Sequence, residues 1–151
     1  LLEVDYARDL SAHTGQTIGV SPWLEITEER IARFADVTGD HQWIHIDVAR
    51  AKAEMPGGRV IAHGYLLLSL LPTFTPALYV IRNRKRALNY GLNKVRFTAP
   101  VPAGSHIRLA LRVLAVEAAG EATRVIWENT LEIEGAERPA MIVESISLFY
   151  D

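Results

Sequence analysis

The chain has 151 residues, of which 49% are hydrophobic and 23% charged, with a formal net charge of −2 and no cysteine. That size fits one domain over 1–151 with a substantial core, and the composition excludes a disordered, collagen-like or coiled-coil chain. The near-balanced charge leaves no electrostatic footprint for nucleic acid or an anionic membrane, so neither is expected as a partner. Without cysteine there can be no disulfide, thiolate nucleophile, iron–sulfur cluster or cysteine-ligated zinc, which fits a reducing, cytoplasmic setting. Leu1-Leu2-Glu3-Val4-Asp5 lacks a basic segment followed by an apolar run, so no signal peptide is expected there. The densest apolar stretch, 65–71, is far short of the roughly 20 residues that span a bilayer.

The first twenty residues are mixed, contain Gly15 and Gly19, and read as a short helix or arm followed by a turn. Trp23 to Ile26 reads as a short strand. Thr27 offers an N-cap oxygen, and Glu28 and Glu29 place negative charge in the first turn of a helix. Ile31, Phe34, Ala35 and Val37 form its apolar stripe, and Gly39 its stop. Residues 40–46 have neither helical nor strand period and read as irregular. Asp47 can cap a helix from Val48 to about Glu54, which Pro56-Gly57-Gly58 breaks. Residues 64–71 are apolar on nearly all sides, the mark of a buried helix, and Pro72 and Pro76 limit its continuation.

After Ala87 the period changes to two. Ile107, Leu109, Leu111 and Val113 alternate with Arg108, Ala110 and Arg112. Val125, Trp127, Leu131 and Ile133 share a parity that Asn129 breaks, and Met141, Val143 and Phe149 repeat the pattern more loosely. These are antiparallel strands with one buried face, joined by turns at 119–121 and 135–137. A sheet with one apolar face must be covered, and the 64–71 helix is the only element apolar enough to cover it. The expected fold is α+β, a long antiparallel sheet wrapped around a buried central helix.

Three features can carry chemistry. Asp40 and His45 are too far apart in register for one helix face, but on an irregular loop a carboxylate and an imidazole can converge on one water as general base and acid. A cap and a buried histidine would account for the same residues. His63-Gly64 stands where the buried helix starts: free N–H groups there can stabilise an oxyanion, and glycine admits a close ligand. A turn glycine with His63 as a polar cap is the plainer alternative. Arg82, Arg84, Lys85 and Arg86, with Lys94 and Arg96 beyond, form a basic run that reads as a solvated face or as a landing site for phosphates. Asp40, His41, His45 and Asp47 have no metal-site spacing, so no metal is expected. A serine-hydrolase elbow, a dinucleotide fingerprint and a P-loop are all absent.

Taken together, Phe34-Ala35-Asp36-Val37-Thr38-Gly39-Asp40-His41-Gln42-Trp43-Ile44-His45 resembles the signature of the MaoC-like dehydratases, the (R)-specific enoyl-CoA hydratase or hydratase 2 family. Thr38-Gly39-Asp40, Ile44-His45 and Ala51 match it. Ile61-Ala62-His63-Gly64 resembles the motif that opens that family's central helix, and Asn93-Lys94-Val95-Arg96-Phe97 with Pro100 to Gly104 resembles the strand and turn that follow. Gln42-Trp43 replaces the family's usual Asn-Pro, as in a similar mycobacterial-type subgroup, and Trp43 is bulky enough to reshape an acyl tunnel. A supporting serine found late on the central helix in some members has no counterpart, since that position is Pro72.

The resemblance implies a hot-dog fold, a homodimer whose sheets join edge to edge, and an acyl-CoA substrate with no cofactor beyond the coenzyme A it carries. It implies reversible hydration of a trans-2-enoyl-CoA to the (R)-3-hydroxyacyl-CoA, a reaction of fatty acid metabolism. Asp40 and His45 would be catalytic, the Gly64 N–H would face the thioester oxygen, and Lys94 and Arg96 would meet the coenzyme phosphates. A hot-dog thioesterase and a non-catalytic acyl-binding protein are the competing readings.

Overall fold

The computed structural model describes residues 1–151. Its frame is set by four long strands. β5 (Arg86–Phe97), β6 (His106–Ala119), β7 (Ala122–Ile133) and β8 (Met141–Tyr150) follow β1 (Leu2–Val4), β2 (Thr17–Val20), β3 (Leu24–Glu25) and β4 (Tyr79–Ile81). The main sheet is antiparallel, in the order β2-β6-β7-β8-β5, with β3 also on β6. The period-two pattern largely survives: Ile107, Leu109, Leu111, Val113, Val125, Trp127, Leu131, Met141, Val143 and Phe149 are buried on one face, and Ile133, at the end of its strand, is only partly buried. Gly120 and Gly135 take positive φ in the two turns placed from sequence.

The helices also largely follow their local signals, although Val37, expected on the apolar stripe of the first of them, is 86% exposed because it lies off the Ile31–Ala35 face. In α1 (Glu28–Thr38), Thr27 Oγ1 accepts from the Arg30 N–H at 3.1 Å, and Gly39 closes the helix in the left-handed region at φ 79°. In α3 (Val48–Glu54), the Asp47 carboxylate accepts from the Arg50 N–H at 3.0 Å. Between them, 43–46 is one helical turn, α2 (Trp43–Ile46), where the sequence reads as irregular. A four-residue helix is too short to show a period.

The central helix departs from expectation in two ways. It is split into α4 (Gly64–Ser69) and α5 (Leu71–Phe74), with Pro72 inside the second piece. Nor is it buried all round: Leu66, Leu67, Leu70 and Leu71 face the sheet, whereas Tyr65 is 72% exposed and Ser69 turns outward. The N-terminal arm is more regular than its composition suggests, since β1 pairs in parallel with β4 and a 3-10 turn over Ala7–His13 buries Ala7 and Leu10. A parallel bridge between residues this far apart in sequence leaves no local pattern to read. No helix is long and apolar enough to cross a membrane.

Candidate active site

Gly39 reverses the chain at the end of α1, so Asp40 leaves the helix as the first residue of the connection. Its backbone N–H donates to Thr38 Oγ1 at 3.4 Å, and its Oδ1 accepts from the Gln42 N–H at 3.3 Å, which fixes the carboxylate over the start of α2. The helical turn of α2 carries His45 inward, to 8% exposure. The 44–45 segment is tied to Ile61 twice: the Ile61 N–H donates to the Ile44 carbonyl at 3.0 Å, and His45 Nδ1 lies 2.7 Å from the Ile61 carbonyl.

A carbonyl can only accept, so His45 carries its proton on Nδ1 and presents Nε2 as a bare acceptor. Burial, the foremost cause, together with the neighbouring His63, lowers the His45 pKa, against the Ile61 bond and the Asp40 charge, which raise it. The ring is therefore neutral near pH 7.

His63 completes the group. Its Nε2–H donates to the Asp40 backbone carbonyl at 3.0 Å, and its ring stacks on that of His45 with centroids 3.7 Å apart and planes 21° from parallel. Phe34 of α1 meets its other side edge-on at 5.0 Å. Its Nδ1 is buried without a partner, so the ring's position rests on these three contacts. The residue does not cap α4 with its side chain, as the sequence suggested; it spans to the Asp40 loop instead.

One donor atom from each of Asp40, His45 and His63 lies within 4.8 Å of the others, yet no direct hydrogen bond joins the Asp40 carboxylate to either ring. A water making two ordinary bonds spans about 5.6 Å, so separations within 4.8 Å leave room for one between a carboxylate and an imidazole. A carboxylate and two imidazoles are also metal-ligand types. Lone pairs of imidazole lie in the ring plane, however, and two nearly parallel rings cannot aim theirs at one ion. The His41 and Asp47 side chains are elsewhere: His41 bonds Asp36 at 2.9 Å, which raises its pKa, and Asp47 caps α3.

Gly64 opens α4, so no preceding turn supplies a carbonyl for its N–H, while the next two bonds, from Leu66 and Leu67, go to the His63 carbonyl. A Cβ on Gly64 would sit 3.0 Å from the Phe97 ring. The glycine is thus required by a side chain of β5, a contact that nothing in the local sequence announces.

Lys94 and Arg96 are exposed on β5, and Arg96 Nη1 donates to the Val95 carbonyl at 2.8 Å; neither joins the dyad. Of the earlier basic run, Arg82 is engaged by Glu3 and Asp5, and Arg86 lies over Tyr150 at 4.0 Å. Trp43 does not enter the interior; the Arg50 guanidinium covers its ring at 4.0 Å. A cavity of about 670 Å³ opens between the end of α4, α5 and the inner face of β5, β7 and β8.

The MaoC-like domain model matches residues 9–134. The chain is 48% identical over 139 residues to 3-hydroxyacyl-thioester dehydratase Z of Mycobacterium tuberculosis, covering 91% of each. It is 39% identical over 142 residues to nodulation protein N of Rhizobium leguminosarum, covering 93% of this chain and 88% of that one. Its backbone is similar to that of the unliganded R-hydratase PhaJ1 from Pseudomonas aeruginosa, with a TM-score of 0.73 and 25% identity over 91% of this chain and 82% of that one. These likenesses bear out the hot-dog fold, and with it the chain belongs to the family of MaoC-like dehydratases and is a hydro-lyase of the hydratase and dehydratase type.

Proposed function

We propose that the protein is an (R)-specific enoyl-CoA hydratase that uses Asp40 and His45 to activate one water. The observation that carries this reading is the convergence of Asp40, His45 and His63, one ligand atom of each lying within 4.8 Å of the others, with His45 Nδ1 tied to the Ile61 carbonyl so that Nε2 is its free acceptor. A water held between the Asp40 carboxylate and His45 Nε2 gives one hydrogen to each and points a lone pair outward. As that oxygen bonds to C3 of a trans-2-enoyl thioester, Asp40 takes its proton, His45 orients it and shares the charge, and the C2–C3 π electrons move onto the thioester as an enolate. The Gly64 N–H stabilises the enolate oxygen. A proton then goes to C2, so that OH and H of one water end on C3 and C2. The thioester itself acidifies the α-carbon, and the scheme calls on no cofactor.

The acyl chain would run along α4 into the cavity, and Lys94 and Arg96, unpaired with acids on the strand whose Phe97 touches Gly64, would receive the coenzyme phosphates. Edge strand β5 exposes Leu88, Tyr90, Leu92 and Phe97, each 44–58% accessible. A long apolar edge is an aggregation hazard, and pairing with β5 of a second copy would remove it. A homodimer working in the cytoplasm on acyl-CoA is the reading these features support.

The test is hydration of trans-2-enoyl-CoA esters, followed by loss of the conjugated double bond and by thiol release in parallel. Loss of conjugation without thiol, abolished in Asp40→Asn and His45→Gln, is expected. Thiol release would make the protein a thioesterase, and an active Asp40→Asn would remove the dyad from the mechanism.

A further inference from the structure

The inner face of the sheet is apolar except at one place. Asn129 on β7 and Ser145 and Ser147 on β8 occupy positions whose parity places them in the core, where Val143 and Phe149 continue the pattern on either side. Asn129 is 3% exposed. Its Nδ2 donates to the Val143 carbonyl at 3.2 Å and to Ser145 Oγ at 2.8 Å. Nδ2 has no third hydrogen to give, Oδ1 is left unused, and Ser145, having accepted, keeps its own hydrogen to donate.

Asn129, Ser145 and Ser147 all line the 670 Å³ cavity, together with Tyr79. Tyr79 stacks on Trp127 at 5.0 Å, and burial pushes its phenol up to about 12, so it stays a donor at any ordinary pH. One wall of the cavity therefore offers an amide oxygen, the Tyr79 and Ser147 hydroxyls, and the remaining hydrogen of Ser145. Ser145 and Ser147 are half-buried and these polar atoms reach the cavity's solvent, whereas valine at 145 and 147 would simply continue the apolar face. A polar cluster set in an otherwise apolar cavity wall is suited to fix the orientation of a ligand that brings a matching polar atom.

We infer that the cavity takes acyl chains bearing an oxygen function, a hydroxyl or a ketone, some carbons beyond the reacting double bond. This rests on the hydratase reading of Asp40 and His45. The position follows from the helix: α4 starts at Gly64, beside the thioester oxygen, and meets the cavity at Leu68 and Ser69, about 6 Å further along. The oxygen therefore belongs in the middle of the chain or near its end. Leu68, Leu71 and Trp127 hold the methylenes, and Asn129 with the two serines reads the oxygen.

The experiment compares a plain medium-chain trans-2-enoyl-CoA with matched esters carrying a hydroxyl or keto group at successive carbons toward the chain end. The wild-type chain is expected to favour the best-placed oxygenated ester about tenfold in kcat/KM. Ser145→Ala/Ser147→Ala, which adds no bulk, should bring that ratio to about one and improve the plain ester. Asn129→Leu should do the same, with a thermal melt to confirm folding. Hydration of all esters at one rate by wild type and variants alike would overturn the inference and leave the hydratase reading standing. An equal loss on every ester in the variants would overturn it too, placing the common pantetheine arm against this wall. Hydration of none would remove the dyad reading and this inference with it.

Discussion

The His45 ring lies against the His63 ring with centroids 3.7 Å apart, and His63 at the same time donates to the Asp40 carbonyl at 3.0 Å. One buried imidazole thus sets the position of both partners that would hold the water. His63→Ala is expected to lower kcat by about 10- to 100-fold, since displacements near 1 Å at a reacting centre cost that much. It should change KM less, because His63 does not meet the acyl cavity. The same variant should lose about 1–3 kcal/mol of stability, read by urea unfolding. An unchanged kcat in a folded His63→Ala protein would reduce the stack to packing.

The pH dependence has a definite sign. Burial lowers the His45 pKa from 6.5, so the ring is neutral and accepting above 6.5 and becomes a cation only at lower pH. The acidic limb of kcat/KM is therefore expected below pH 6.5. The unfolded chain binds the His45 proton more readily than the native one, so the linked stabilisation is present above 6.5 and is lost as pH falls through the native value. Asp40 raises the His45 pKa by its charge, so Asp40→Asn should move the His45 titration further down, as followed by NMR of the ring protons.

Gly64 separates two explanations for a glycine at a helix start. Alanine keeps the N–H but drives a Cβ to 3.0 Å from Phe97. Gly64→Ala should destabilise the protein and slow hydration, and adding Phe97→Ala should restore stability and bring kcat back to within about tenfold, the N–H being intact. If the double variant folds well yet stays inactive, it is substrate, and not only Phe97, that needs the missing Cβ.

Trp43 is covered by Arg50 and lies outside the cavity lining. Trp43→Ala should cost about 1 kcal/mol from the lost cation–π contact and burial, with the order of preference among acyl chain lengths unchanged. A shifted chain-length profile would put the indole back in the tunnel.

The β5 edge predicts a dimer. Sedimentation should give twice the 16.8 kDa chain mass, and Tyr90→Lys, which sets a charge on an exposed apolar edge, should shift the protein toward monomer. A monomeric wild-type protein would leave that edge without its proposed cover.

Much of this molecule was legible in the linear sequence because its determinants are local. The Thr27 and Asp47 caps, the Gly39 stop and the alternation in β6, β7 and β8 depend on neighbours a few residues away, and each appears where the sequence places it. The Asp40-x4-His45 spacing gained its meaning from resemblance, as the two residues share no helix face and converge only because Gly39 and α2 redirect the chain.

What only the tertiary structure decided is every relation between distant segments. Ile61 fixes the His45 tautomer from sixteen residues away, His63 grips Asp40 across twenty-three, and Phe97 dictates a glycine on another element. Asn129 reads in the sequence as an interruption of a strand pattern; its meaning depends on two serines of the next strand and on the cavity they share. The sequence by itself determined the long alternating strands, the caps and the identity of the reactive groups, because backbone hydrogen bonding and side-chain periodicity act over one or two turns. The fold decided which of those groups share a hydrogen and which are left free to meet a substrate, because that depends on distances set by packing across the whole core.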